Sequence, residues 1–179
     1  MCVAVNDPIS DFELLGRGYY CTSQIKKNGE IRTTAFYPGN KEDEKRKGYF
    51  TNKISMCRIC RDVAEGNEHQ WTNAIKFARN YERKGRIFKG FAIATAHFFK
   101  NEGLDVEPAA SDQNPFHMHL VIPGYEQPYR KVESISELLT EDLRSRLEDL
   151  RHKIPFIPIE KDQTAPLKYP TPCDLCKTS

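Results

Sequence analysis

"NPFHMHLVIPG" (residues 114–124) decides how this chain is read. Apolar residues recur at every second position, and Pro123-Gly124 stop the run. Side chains alternate between the two faces of a strand. Phe116, Met118, Leu120 and Ile122 therefore share one face, and His117, His119 and Val121 share the other. The first face is expected in the core of a sheet. The second sets two of the chain's five histidines side by side on a surface, on a cleft wall or under a helix.

The same period of two runs through "KISMCRIC" (53–60), with Ile54 and Met56 opposed to Ser55 and Cys57. "FELLGRGYYCTSQIK" (12–26) is rich in aromatic and β-branched residues and reads as a strand. Asn28-Gly29 is a strong hairpin signal, which makes "IRTTAFYP" (31–38) its partner strand. "FKGFAIATAHFF" (88–99) reads as a central strand. "IPFIPIE" (154–160) reads as an edge strand, because Pro155 and Pro158 cannot serve a central ladder. The segment 103–115 reads as turns.

Two stretches carry the helical period instead. Trp71, Ala74, Ile75, Ala78 and Tyr81 line one face of a helix that Asn67 and Gln70 cap and that ends near Gly85. Ser134 and Glu137 form a second capping box. It opens a helix with Ile135, Leu138, Leu139, Leu143, Leu147 and Leu150 on one side, ending near His152. The expected fold is α+β: a mostly antiparallel sheet of five to six strands with two main helices. Residues 1–160 form the domain and 161–179 a proline-rich tail.

Composition narrows the class. The 179 residues are 39% apolar and 29% charged, which suits a globular domain. No apolar run is long enough for a membrane span, and the N-terminus has no signal-peptide pattern, so a cytoplasmic protein with reduced thiols is expected. A net charge of +2 is too balanced to argue for nucleic acid by itself. The run 41–48 mixes signs and reads as a solvated loop. The run 81–90 is basic through Arg83, Lys84, Arg86 and Lys89. Those cations suit the end of a helix dipole, and they could also touch phosphate.

Cysteines supply the strongest spacing signal. Cys57 and Cys60 enclose two residues, as do Cys173 and Cys176. That spacing lets both sulfurs of a pair reach one tetrahedral Zn²⁺, and two pairs close its shell. The expectation is one structural zinc per chain, pinning the tail across the domain. Two unrelated thiol pairs are the alternative.

Three resemblances bear on function, and the first is local. The His117-hydrophobic-His119 strand resembles that of rolling-circle and relaxase (HUH) nucleases. The resemblance implies Mg²⁺ or Mn²⁺ at His117 and His119, with Tyr19, Tyr20, Tyr125 or Tyr129 as the attacking residue. More widely, "LLGRGYY", "IRTTAFYPGNKED", "ISMCR", Trp71, "GFAIATA" and "GLDVEPAASDQNPFH" resemble, in that order, a family of small uncharacterised bacterial proteins. That likeness favours His117 alone as a polar residue of a shared site, with Arg17, Ser55 and Asn114 converging at one end of the sheet. An arginine, a serine and a later polar residue on successive strands also resemble the NAD site of ADP-ribosyltransferases.

The leading expectation is a small zinc-stabilised binding module. Its partner is nucleic acid or another protein of a bacterial defence or mobile-element system, without membrane attachment. A divalent-metal nuclease using His117 and His119 is the first alternative. An NAD-dependent transferase using Arg17, Ser55 and His117 is the second.

Overall fold

A computed structural model describes residues 6–60, 68–83, 85–112 and 114–163. Six strands form one sheet: β1 (Leu14–Cys21), β2 (Lys53–Cys60), β3 (Ile87–Thr95), β4 (Asp105–Pro108), β5 (His117–Val121) and β6 (Phe156–Pro158). Their order is β4-β5-β2-β1-β3-β6, and every neighbouring pair is antiparallel. The helices are α1 (Glu68–Asn80), the single-turn-scale α2 (Ala96–Asn101) and α3 (Glu141–Lys153). The α+β class, the antiparallel sheet and the two main helices are as expected from sequence.

Both faces of the sheet are covered over β1 and β3, whereas β5 and the first half of β2 are covered on one face only and alternate apolar with polar residues. On one face, Leu15, Tyr19, Ile54, Met56, Met118 and Leu120 pack beneath Phe36, α2 and the leucines of α3. On the other, Leu14, Ile59, Phe91 and Ile93 meet Trp71, Ala74, Ile75 and Ala78 of α1. Gly16 lies under this second layer. A Cβ there would come within 2.9 Å of both Ile59 Cγ1 and Cδ1, so the glycine permits the close approach. At the other edge Gly90 sits at φ +142°, and a Cβ would lie 2.1 Å from the Ile157 carbonyl oxygen. Only glycine lets β6 dock there.

Several boundaries differ from the sequence reading. The segment expected as a strand over 31–38 is a 3₁₀ turn at Thr33–Phe36, which drives Ala35 and Phe36 into the core. The Asn28-Gly29 turn does form, with Gly29 at φ +88°, but it closes on a single bridge between Ile25 and Ile31. The strand expected through residue 99 stops at Thr95, whose hydroxyl accepts from Phe98 N–H and starts α2. The capping box at Ser134 and Glu137 is present, yet it caps only a 3₁₀ turn, Ile135–Leu138. Leu139 is extended, and Thr140 caps α3 afresh. Two hydroxyl caps six residues apart make two short elements where the leucine spacing suggested one. Strand β4 lies within a stretch read as turns. Tyr81 falls beyond the end of α1 and is exposed. Phe116 lies before β5 and packs on Phe77 of α1, with ring centroids 5.7 Å apart, rather than joining Met118 and Leu120.

A buried ion pair fastens the N-terminal segment. Arg58 on β2 grips Glu13 through both carboxylate oxygens, at 2.5 and 2.9 Å, and its Nη1 donates to the Asp7 carbonyl at 2.8 Å. Both side chains are fully enclosed.

Candidate functional site

A seam in the middle of the sheet creates the site. β1 and β2 pair only from Leu14↔Cys60 to Gly16↔Cys57. Beyond that point β1 pairs with β3 alone, and β2 with β5 alone. Arg17 spans the opening. Its Nε donates to the Ala35 carbonyl at 2.5 Å and its Nη1 to the Ser55 carbonyl at 2.7 Å. The guanidinium thus takes the place of a ladder bond for the Ser55 carbonyl and ties the 3₁₀ turn to the seam through Ala35. Its planar face also lies 5.8 Å from the Phe36 ring centroid.

Ser55, His117 and His119 share the α1-side face of the sheet, past the patch that α1 covers. Ser55 and His119 are cross-strand partners, and Cys57 faces His117. The Ser55 hydroxyl lies 2.7 Å from His117 Nε2. His117 Nδ1 lies 3.1 Å from the Ala109 carbonyl oxygen. These two contacts fix the tautomer. A carbonyl can only accept, so Nδ1 carries the proton; Nε2 then has a bare lone pair that accepts from the Ser55 O–H. Burial holds the His117 pKa below the usual imidazole value, against the contrary pull of the Ala109 carbonyl. The ring is neutral at pH 7.

His119 stands beside it, ring centroids 4.6 Å apart and nearly perpendicular. Burial first, then the His117 and Lys53 charges, pull its pKa down to about 4. Its Nδ1 is 3.4 Å from Glu107 Oε1, and the same carboxylate accepts from Lys53 Nζ at 2.7 Å. Glu107 is raised by burial, but the Lys53 contact outweighs this and leaves its pKa low.

These groups open into a cleft of about 780 Å³ whose walls include Arg17, Lys41, Lys45, Lys53, Ser55 and both histidines. A second chamber of about 230 Å³ is entered past Arg17, Gln24, Ser55 and His117, which line both spaces. Lys53 is offset by Glu107. Arg17 has no carboxylate partner among the described residues, and burial lowers its pKa to about 10. It remains a cation at pH 7 all the same.

The sequence singled out Arg17, Ser55, His117 and Asn114, and the fold brings them together: Asn114 lines the smaller chamber beside the other three. It missed Glu107, because β4 was read as a turn, and Lys53, because a lysine at a strand end carries no signal of its own. It could not foresee the Ala109 carbonyl, which is invisible to side-chain reasoning. Of the four tyrosines considered as nucleophiles, none lines the large cleft. Tyr19 and Tyr125 are buried in the core, Tyr129 is half-exposed and packs on Phe50, and Tyr20 borders the smaller chamber, its hydroxyl donating to the Ala78 carbonyl at 2.7 Å.

Among the described residues no group of three or more His, Cys, Asp or Glu side chains is arranged to hold a metal ion. The side chain of Cys60, together with Cys173 and Cys176, lies outside the described residues, as do Asn67 and the tail beyond 163. Cys57 is described. Burial raises its thiol pKa to about 11, and the Asn114 amide lies 3.9 Å from its sulfur. No helix among the described residues is long and apolar enough to cross a membrane. Compared with known proteins, the chain matches no family model, no curated protein and no solved structure, so the site is read from its own residues.

Proposed function

We propose that the seam holds a serine nucleophile with a histidine base, and that the protein transfers an acyl or phosphoryl group through Ser55. The observation that carries this reading is the chain of contacts from the Ala109 carbonyl through His117 to the Ser55 hydroxyl. A serine hydroxyl is a weak nucleophile until a neighbouring base can take its proton, and a base needs a third group to hold its tautomer. Here a backbone carbonyl plays that third part, where a carboxylate does in Ser-His-Asp enzymes.

Ser55 Oγ forms a bond to the electrophilic carbon or phosphorus of an ester, and its proton passes to His117 Nε2. The leaving group departs with the bonding electron pair and takes that proton from His117. Water, activated by the same ring, then releases the group from Ser55. Arg17 is a positioning residue in this scheme, because it fixes the Ser55 main chain. His119 is a neutral imidazole at pH 7, so it adds no cation against the one forming on His117.

The test is covalent labelling with an uncharged fluorophosphonate. Attack by Ser55 expels fluoride and leaves one phosphonyl group, readable by intact mass and peptide mapping. Stoichiometric labelling of Ser55, lost in Ser55→Ala and His117→Ala, supports the reading. A folded protein that takes no label leaves the binding-module reading standing instead.

A four-cysteine zinc site formed by Cys57, Cys60, Cys173 and Cys176 is a separate, structural proposal that rests on spacing. It is compatible with the nucleophile, since a closed tetrahedral site takes no part in the chemistry.

A further inference from the structure

The smaller chamber behind Ser55 has an unusual charge pattern. Arg17 and Arg86 both line it. Each guanidinium raises the cost of charging the other, and the Arg86 charge helps to lower the Arg17 pKa. Like charges drawn together in a half-buried space are normally relieved by a carboxylate. Here none of the described carboxylates forms an ion pair with either one.

Their hydrogen bonds are also incomplete. Arg17 spends Nε and Nη1 on two backbone carbonyls, and no partner among the described residues engages its Nη2. The Arg86 guanidinium sits over the Tyr20 ring, its Cζ 4.3 Å from the centroid. Its Nε is buried and has no hydrogen-bond partner among the described residues. A buried N–H donor without a partner is costly, so such a group marks a place where an acceptor belongs. Gln24 and Asn114 also line the chamber and carry amides that can donate.

We infer that the chamber between Arg17 and Arg86 is an oxyanion site that binds phosphate, either free or as the phosphate group of a larger ligand. Planar guanidiniums match a tetrahedral oxyanion through paired N–H donors, whereas an ammonium offers only a point charge. The Tyr20 ring holds the Arg86 guanidinium at the chamber wall through a cation–π contact. The chamber opens onto Ser55 and His117, so a bound phosphate group stands next to the proposed nucleophile. The substrate class then becomes esters that bear a phosphate; this last clause rests on the nucleophile reading, while the anion site does not.

The probe is inorganic phosphate, titrated calorimetrically into the full chain at pH 7.5 and constant ionic strength set with chloride. Saturable binding of one phosphate per chain is expected. Arg86→Gln weakens it at least tenfold, whereas Lys161→Gln, an exposed cation change outside the chamber, leaves it within twofold. Absence of saturable binding in the wild type overturns the inference. So does an Arg86→Gln variant that binds as the wild type does, or a Lys161→Gln variant that loses as much. If circular dichroism shows Arg86→Gln unfolded, Arg86→Lys replaces it. That variant keeps the charge but loses the planar fork, and unchanged affinity in it overturns the site equally. Phosphate binding without Ser55 labelling supports the chamber and removes the nucleophile; labelling without phosphate binding does the reverse.

Discussion

Gly16 faces Cys57 across the β1–β2 ladder, and this is the last pair the two strands make on that side of the sheet. One residue later Arg17 replaces the ladder with side-chain donors to Ala35 and Ser55. The candidate site is therefore a gap in the sheet bridged by the Arg17 guanidinium. Pairing restored beyond Cys57 would close the cleft.

Arg17 is the first test of that relationship. Arg17→Met keeps much of the apolar stem but leaves the Ser55 carbonyl without its donor. Labelling of Ser55 should slow by roughly ten- to a hundredfold, the usual cost of a nucleophile misplaced by about an ångström. Arg17→Lys should recover part of the rate, since an ammonium can still reach one carbonyl. The measurement is labelling rate against pH: a positioning defect lowers the plateau without moving the midpoint, which belongs to His117.

Acid should act on the site in a defined direction. In the folded protein His119 titrates at about 4 and His117 below its usual value, mainly because burial disfavours the imidazolium. In the unfolded chain both return to about 6.5. Between those limits the unfolded state binds more protons, so stability rises with pH from about 4 to 6.5 and is lost as pH falls through that window. The His119 share is up to about 3 kcal/mol at the acid end. Urea unfolding at pH 4.5 and 7 should show the loss, and His119→Gln should reduce it. Equal stability at the two pH values contradicts the burial of these rings.

The Glu13–Arg58 pair should matter to folding and not to chemistry. Arg58→Met leaves the Glu13 carboxylate enclosed without its cation, which costs about 3–5 kcal/mol. Chemical denaturation measures it. A change below about 1 kcal/mol would mean that the segment 7–13 does not seal this pair from water.

Cysteine chemistry tests the zinc proposal. Without metal, Cys57 is a half-buried neutral thiol with its pKa pushed up to about 11, so it should react slowly with a maleimide at pH 7.5. Zinc requires the thiolate, so loading must expel its proton. If the four-cysteine site forms, purified protein carries about one zinc per chain, and Cys57→Ser lowers that content. Zinc-free protein with a stable fold removes the metal staple.

Some of this arrangement was legible in the residues. The alternation in 53–60 and 116–123 gave both strands, and it set His117 and His119 on the face opposite Met118 and Leu120, as found. The helical period over Trp71–Ala78 gave the buried face of α1. Errors fell where one local signal competed with another. Thr95 caps a helix inside an apolar run, and Thr140 restarts one inside a leucine pattern. In "IRTTAFYP", β propensity lost to the burial of Phe36. The seam was not legible at all, because where β1 and β2 part depends on register between segments some forty residues apart. Ser55, Arg17 and His117 were read together as the site of an NAD-dependent transferase, and the contacts that support a nucleophile were not legible. The tautomer of His117 depends on the Ala109 carbonyl, which β4 brings alongside β5.

The central claim is that Ser55 is an activated nucleophile. Intact-mass analysis after incubation with an uncharged fluorophosphonate at pH 7.5 tests it most directly. One adduct per chain, mapped to Ser55 and absent from His117→Ala, is the predicted result. A folded protein left unmodified, or modified equally in Ser55→Ala, would contradict it.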